Sequence, residues 1–250
     1  MLRLFHRRWL LSTLLVIAAL GVMVRLGIWQ LDRLAARRIY NTRVESQIHE
    51  PELVLDAQAL QLDLYEMEYR QVQVVGHYLP DAEIVLRNAT WQGQVGVELF
   101  TPLLIEGSDL AILVERGWIP AEKSANGLRG DFLERGTVIV EGVLRRAETD
   151  FNVRLHPDPT LAPDQHRLDA WNNLDLGRIG AQMDVSLLPV YLQRQISGEQ
   201  SAAPYTKTLS IELSEGPHLG YAGQWFLFAA VLALGYPVYV RRQEESAEVE

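Results

Sequence analysis

The chain of 250 residues contains no cysteine. This absence excludes disulfide bonds, cysteine-based zinc sites, C-x-x-C redox or copper-carrier motifs and C-x-x-C-H haem attachment. It does not locate the protein, because a cysteine-free domain folds in oxidising and reducing compartments alike. Thiolate chemistry is therefore excluded as the basis of its function.

Positive charge in excess is also missing, since the net charge is −9. Without a basic face we expect no nucleic-acid partner. The sequence lacks the G-x-S-x-G, H-E-x-x-H, Walker and G-x-G-x-x-G motifs. No two of its six histidines stand three or four residues apart, so no helix presents a two-histidine metal face. We predict a protein that is not an enzyme, with an enzyme built from scattered carboxylates as a remote alternative.

Charge of either sign is absent from two blocks, residues 9–24 and 219–240. The first block continues through Arg25 to Trp29, which lies about 30 Å from Trp9 along a helix, the thickness of the hydrocarbon core. The second block is preceded by His218 and would span about 33 Å. Both are rich in aromatic residues near their ends. We predict transmembrane helices at residues 9–29 and 218–240, with Pro237 in the last turn of the second.

A cleaved signal peptide is the alternative for the first block, because basic residues precede it. No small-x-small cleavage site follows, since Arg25 comes directly after the apolar run, and an uncleaved helix is favoured. The arginines flanking the spans are nearly balanced between the two sides, so they decide the orientation weakly. An even number of spans places both tails on one side. We predict cytoplasmic tails at residues 1–8 and 241–250 and an extracytoplasmic domain at residues 30–217.

The middle of the chain begins with a charged helical pattern at residues 30–49, whose arginines either meet lipid phosphates or simply face solvent. From residue 70 the apolar period changes to two, which is typical of strands. The predicted strands are 70–79, 83–87, 95–104, 110–116 and 137–145, with weaker candidates at 151–155, 190–195 and 206–213. One internal helix is predicted at 175–184. This pattern indicates a single α+β domain, mainly antiparallel β and partly barrel-like.

His218 differs from the other histidines because it stands at the entrance to the second span. At 100° per residue it shares a narrow face with Ala222, Ala229 and Ala233, next to a face of aromatic side chains. In one interpretation the alanines pack against the first span and His218 is an interfacial anchor. In the other, the imidazole ligates the iron of a haem whose plane lies against the alanines. Spacing alone favours the packing interpretation.

Three segments carry distinctive motifs. The segment after the first span reads LGIWQLDR, which resembles the L-G-x-W-Q-x-x-R signature of the surfeit locus protein 1 family. The segment 116–120 reads RGWIP and resembles its R-G-W-x-P motif, and the segment 218–226 reads HLGYAGQWF and resembles its entry to the second span. The order of the motifs and the two-span layout agree over nearly the whole chain.

The resemblance implies an assembly factor for haem a–copper cytochrome c oxidase in a bacterial inner membrane. It implies that the protein holds or delivers haem a while the large catalytic subunit matures, with that subunit and a haem a synthase as partners and no catalytic step. His218 would be the iron ligand, and a membrane scaffold that binds no haem is the alternative. The cofactor-binding candidates are His218, Tyr221, Gln224 and Trp225, and the other family positions are Trp29, Gln30, Arg116, Gly117 and Trp118.

Overall fold

The computed structural model describes residues 6–125, 127–147, 157–161, 165–196, 198, 200–209 and 211–247. Within these residues the chain forms three α-helices, which are α1 (Leu10–His49), α2 (Leu176–Gly180) and α3 (His218–Ala247). The chain divides into two compact units. The first unit combines Met1–Arg43 with Ile211–Glu250, and the second is Val44–Ser210.

Helices α1 and α3 are each long and apolar enough to cross a membrane. Only 11% of the most apolar 18-residue stretch of each helix is buried within the protein, whereas the core helix of a soluble protein is mostly buried. The two apolar helices predicted at the ends of the chain are therefore confirmed, and they indicate association with a membrane.

Both helices extend beyond the predicted spans. Helix α1 continues without a break to His49, so the charged segment 30–49 is helical as predicted. Helix α3 continues to Ala247, which places Pro237 inside the helix rather than in its last turn. The charged residues that follow the apolar run favour helix as well, and the missing backbone bond at one proline does not end it.

Small and hydroxyl side chains join α1 to α3 within the first unit. A Cβ on Gly27 would lie 2.7 Å from the ring of Phe226, so glycine permits the ring to approach the backbone of α1. The hydroxyl of Tyr236 hydrogen-bonds to both Ser12 and Thr13 at 2.8 Å. Close approach at small residues and hydrogen bonds between hydroxyls are the interactions that associate helices in lipid.

Eight strands form one sheet in the second unit. They are β1 (Leu53–Val54), β2 (Gln71–Tyr78), β3 (Ile84–Trp91), β4 (Gln94–Ile105), β5 (Leu110–Pro120), β6 (Thr137–Arg145), β7 (Ala170–Trp171) and β8 (Ser186–Arg194). The alternation of buried and exposed residues along β2 is the period-two pattern of its sequence.

Five of these strands close into a barrel in the order β2, β6, β8, β5, β4 and back to β2. The β5–β8 pair is parallel, and the other four pairs of the ring are antiparallel. If the five strands are numbered 1 to 5 along the chain (β2, β4, β5, β6, β8), their order around the ring, starting from β2 through β4, is 1-2-3-5-4. A five-stranded Greek-key barrel is the architecture of the OB fold. The prediction of a mainly antiparallel, barrel-like domain is confirmed.

Most of the predicted strands are present with shifted ends, including 190–195 as the C-terminal part of β8. The prediction of a strand at 206–213 is wrong, because the described residues of this range, 206–209 and 211–213, form no strand. Tyr205 makes a single bridge with Trp118, after which the side chain of Gln200 takes the backbone N–H of Thr206 at 2.7 Å. The chain therefore leaves the sheet after one residue pair. The candidate at 151–155 lies outside the described residues.

The internal helix predicted at 175–184 is shorter than expected and covers Leu176–Gly180. Asp175 caps it, because its Oδ1 accepts the backbone N–H of Arg178 at 3.0 Å. An aspartate at this position satisfies a backbone donor that the first turn leaves unpaired. The short helix packs Ile179 into a core cluster beside β3 and β5.

Candidate functional site

His218 is the first residue of α3, and it contacts Gln30 of α1. The imidazole Nδ1 lies 2.8 Å from Gln30 Oε1, which joins residues 188 positions apart in the chain. An amide oxygen accepts hydrogen bonds and cannot donate them, so Nδ1 carries the proton and donates it. In neutral imidazole this leaves Nε2 with its lone pair. The contact with Gln30 thus leaves Nε2 as the ring nitrogen with a free lone pair.

The Nε2 edge of His218 is bordered by Gly216. The backbone of Gly216 has φ +69°, and a Cβ there would lie 3.6 Å from Nε2. Among the described residues no hydrogen bond to Nε2 is present, and the His218 side chain is half-buried. Glycine therefore keeps this edge of the ring free of a neighbouring side chain.

Arginines of α1 hold the segment that leads into α3. Arg37 donates to the backbone carbonyls of Glu212 and Ser214 at 2.6 and 3.0 Å. Arg38 forms a bidentate pair with Glu215 at 2.8 and 2.9 Å. These contacts set the path of the chain just before His218. The sequence predicts lipid phosphates or solvent as the surroundings of these arginines. It does not predict that they bind the segment before α3, because residues 212–215 are distant in sequence.

The other candidates in the second span surround the helix unequally. Around the axis of α3, Trp225 lies about 20° from His218, Tyr221 about 60° and Gln224 about 120°. Tyr221 and Gln224 are exposed, and Trp225 is half-buried. Trp225 contacts Phe228 edge to face, with ring centroids 6.3 Å apart. The structure therefore groups Tyr221 and Trp225 with His218 and places Gln224 on a different side of the helix.

The alanine face of α3 is divided between two environments. Ala222 and Ala229 are buried, whereas Ala233 is exposed. Burial of these two alanines is the result expected if they pack against α1. Beside His218 this helix therefore offers the exposed side chain of Tyr221 and the half-buried side chain of Trp225, and not these two methyl groups.

Trp29 of the first family motif is 41% exposed on α1. The guanidinium of Arg33 lies 5.6 Å from the centroid of its ring, one turn later on the same helix. A tryptophan beside an arginine is typical of a helix at the membrane interface.

Arg116, in the second unit, is a charged residue inside the barrel with 2% of its side chain exposed. Its guanidinium lies 3.5 Å from a carboxylate oxygen of Glu83 and 2.6 Å from one of Glu134, and it also donates to the carbonyl of Phe132. It stands over the ring of Tyr78 at 4.7 Å. The motif arginine thus connects several strands and loops through buried charge pairs.

Burial and pairing act in opposite directions on the two carboxylates. Burial raises the pKa of Glu83, against the effect of the hydrogen bond from Thr101 and the charge of Arg116. Burial also opposes ionisation of Glu134, but hydrogen bonds from Arg194 and Arg116 outweigh it and lower the pKa. Both responses follow from placing carboxylates beside arginines in a region of low water content.

Gly117 and Trp118 fix the segment around Tyr205 to the end of β5. Gly117 has φ +125°, and a Cβ there would lie 2.6 Å from the carbonyl oxygen of Tyr205. Trp118 is 1% exposed, and its backbone exchanges two hydrogen bonds with Tyr205 at 2.8 and 2.9 Å. The R-G-W segment therefore acts as an architectural element of the barrel, a role that its sequence does not reveal.

Within the described residues there is no group of three or more histidine, aspartate or glutamate side chains that could hold a metal ion. His218 is paired with an amide and not with a second candidate ligand.

Comparisons with known proteins give one family. The model of the SURF1 family matches residues 17–230. A SURF1-like protein of Rickettsia bellii is 27% identical over 92% of this chain and 91% of its own length. An uncharacterised SURF1-like protein of Mycobacterium tuberculosis is 26% identical over 95% of this chain and 88% of its own length. A SURF1-like protein of Monosiga brevicollis is 25% identical, with 87% and 83% covered.

Proposed function

This chain belongs to the SURF1 family, whose members are generally oxidase assembly factors, and we propose that within that role it holds haem a through His218. The cofactor would be held while the large catalytic subunit of cytochrome c oxidase matures. Haem a supplies the iron centre that the finished oxidase uses for electron transfer. The protein itself carries out no catalytic step.

The observation that supports this proposal is the contact between Gln30 and His218. Each residue belongs to a different family-like motif and a different helix, and their hydrogen bond leaves Nε2 available as a ligand. Histidines that bind metals usually donate the other ring N–H to such an acceptor, which fixes the ring and raises its basicity. Exposed Tyr221 and half-buried Trp225 offer aromatic surfaces beside the imidazole.

The proposed location is the inner membrane of a bacterial cell, with both termini in the cytoplasm. The β-rich domain would then be extracytoplasmic, where it docks on the oxidase subunit or on a haem a synthase. His218 would lie at the mouth of the second span, since the apolar run begins directly after it. Such a position suits a cofactor with an apolar macrocycle and polar propionates.

The direct test is the haem content of purified protein produced together with haem a synthesis. We expect His218→Ala to carry at least about tenfold less haem a per protein, because the iron loses its ligand. His166→Ala is the control, since His166 is an exposed histidine of the second unit. Added imidazole should restore part of the haem a spectrum in the His218 variant. Unchanged haem content in that variant would remove His218 from the site.

Gln30 is expected to act on the affinity through the imidazole and not by touching iron. Gln30→Leu removes the acceptor for Nδ1–H and should weaken haem a binding about 10- to 100-fold. Gln30→Glu retains an acceptor at the same place and should bind at near the original affinity. Titration of apoprotein with haem a measures both, and equal affinity of the leucine variant and the unchanged protein would contradict the role assigned to Gln30.

A scaffold that binds no haem is the second candidate, and the R-G-W segment supports it. Arg116, Gly117 and Trp118 all serve the barrel and the Tyr205 segment, so at least one family-like motif supports the domain itself. A scaffold predicts normal oxidase assembly with His218→Ala and failure with Trp118→Ala. Oxidase activity in a deletion strain complemented with each variant distinguishes the two functions.

A further inference from the structure

The second unit contains an open pocket of about 830 Å³ beside the R-G-W segment. Its walls come from the β3–β4 hairpin, the end of β5, the chain after β8 and residues 205–209. We name it the Trp91 pocket after the tryptophan at the hairpin. Its volume is within the range of pockets that bind small ligands or short peptide segments.

Three aromatic rings form one side of the Trp91 pocket. Trp91 stacks on Tyr205 with ring centroids 5.7 Å apart and planes 4° from parallel. Tyr205 stacks in turn on Trp118 at 6.2 Å. Trp118 is buried and bonded to the backbone of Tyr205, whereas Trp91 is half-buried and faces outward. The outer ring is thus a rigid apolar surface held in place by the core of the barrel.

Amide groups without a hydrogen-bond partner among the described residues line the rest of the pocket. The side chains of Gln92, Gln94 and Gln195 make no hydrogen bond within the described residues, and each both donates and accepts. The backbone N–H and C=O groups of residues 207–209 also have no backbone hydrogen-bond partner among the described residues. Lys207, the one charged side chain among the described residues of the lining, pairs with Glu98.

These features define the chemistry of a ligand. It must offer donors and acceptors in alternation, and it must have an apolar face for Trp91. An extended polypeptide satisfies both requirements, because its backbone alternates N–H and C=O and can pair with an unpaired edge of another chain. A glycan also stacks on tryptophan, but it has no alternating groups that match the backbone of residues 207–209.

We propose that the Trp91 pocket binds an extended segment of a partner protein. The backbone of this segment pairs with residues 207–209, the glutamine side chains bond its remaining amides, and one proline or apolar side chain packs on Trp91. Binding here requires no cofactor, so it is independent of the role proposed for His218.

The test is photocrosslinking in intact membranes with full-length protein that carries benzoylphenylalanine at residue 94. We expect adducts with one partner protein, mapped by mass spectrometry to a single short stretch of its sequence. A synthetic peptide of that stretch should compete for the adduct, and Trp91→Ala should reduce its yield about tenfold or more. Benzoylphenylalanine at residue 139, which is 63% exposed on β6 away from the pocket, is the control and should give no such adduct.

Each other result overturns the proposal. Adducts only with lipid or glycan would assign the pocket to another class of ligand. Adducts spread over many proteins, or equal yields with and without Trp91, would show that the aromatic surface selects no segment. The absence of any adduct at residue 94 would mean that no partner occupies the pocket. The unfolding temperature of the Trp91 variant is measured in parallel, and Tyr65→Ala, which changes an exposed aromatic residue elsewhere in the domain, should leave the adduct unchanged.

Discussion

Arg116→Ala is expected to lower the free energy of unfolding of the second unit by about 3–5 kcal/mol. The substitution removes the guanidinium that lies between buried Glu83 and half-buried Glu134. Glu83 retains its hydrogen bond from Thr101, and Glu134 retains its pair with Arg194. The substitution also removes the cation that stands over the ring of Tyr78. Water cannot replace the lost charge partner of Glu83 at a buried position, which is why the loss exceeds that of an exposed ion pair.

Urea unfolding of full-length protein in detergent, followed by tryptophan fluorescence, measures this change. Lys123→Ala is the matched control, because Lys123 pairs with Asp131 at 2.7 Å on the surface of the same unit. Its loss should cost less than about 1 kcal/mol. Arg116→Lys should also destabilise the unit, since an ammonium cannot reach all the acceptors that a planar guanidinium serves. A cost for Arg116→Ala as small as that of the Lys123 control would show that the buried network contributes little.

Glu115 is expected to make the stability of the barrel depend on pH. It lies on β5 beside Gln193 of β8 and is 6% exposed. Burial raises its pKa from 4.5 to about 7, although the charge of Arg145 and the hydrogen bond with Gln193 oppose this. The folded protein therefore binds this proton more tightly than the unfolded chain does. The protonated Glu115 carboxyl therefore contributes to the free energy of unfolding by up to about 3 kcal/mol. This contribution is complete below pH 4.5 and is lost as the pH rises through about 7.

Glu115→Gln should remove this dependence, because an amide does not ionise. Between pH 5 and pH 8 the free energy of unfolding of the variant should fall less than that of the unchanged protein, and the difference between the two slopes isolates Glu115 from all other groups. Glu141→Gln, which changes an exposed glutamate on β6, is the control and should leave the slope unaltered. Identical slopes for the Glu115 variant and the unchanged protein would contradict the assigned cause.

Interactions that are local in the chain were predictable. The two apolar helices follow from runs without charge, and most strands follow from a period of two, because each pattern reports which side of an element avoids water. Errors occur where a neighbour in space decides. Residues 206–209 have the composition of a strand, but Gln200 takes the N–H of Thr206 and ends the pairing. The helix at residue 175 is shorter than its pattern because the following chain turns to form β8.

The amino-acid pattern alone predicts apolar segments at both ends of a β-rich domain, and it distinguishes His218 from the other histidines because His218 stands at the entrance to a span. The tertiary structure is needed to pair His218 with Gln30, to place Arg116 between Glu83 and Glu134, and to form the Trp91 pocket. The first two of these relations join residues between 18 and 188 positions apart. Hydropathy and periodicity describe how each segment meets its solvent, whereas the partner of a side chain is set by the closure of the barrel and the pairing of the helices.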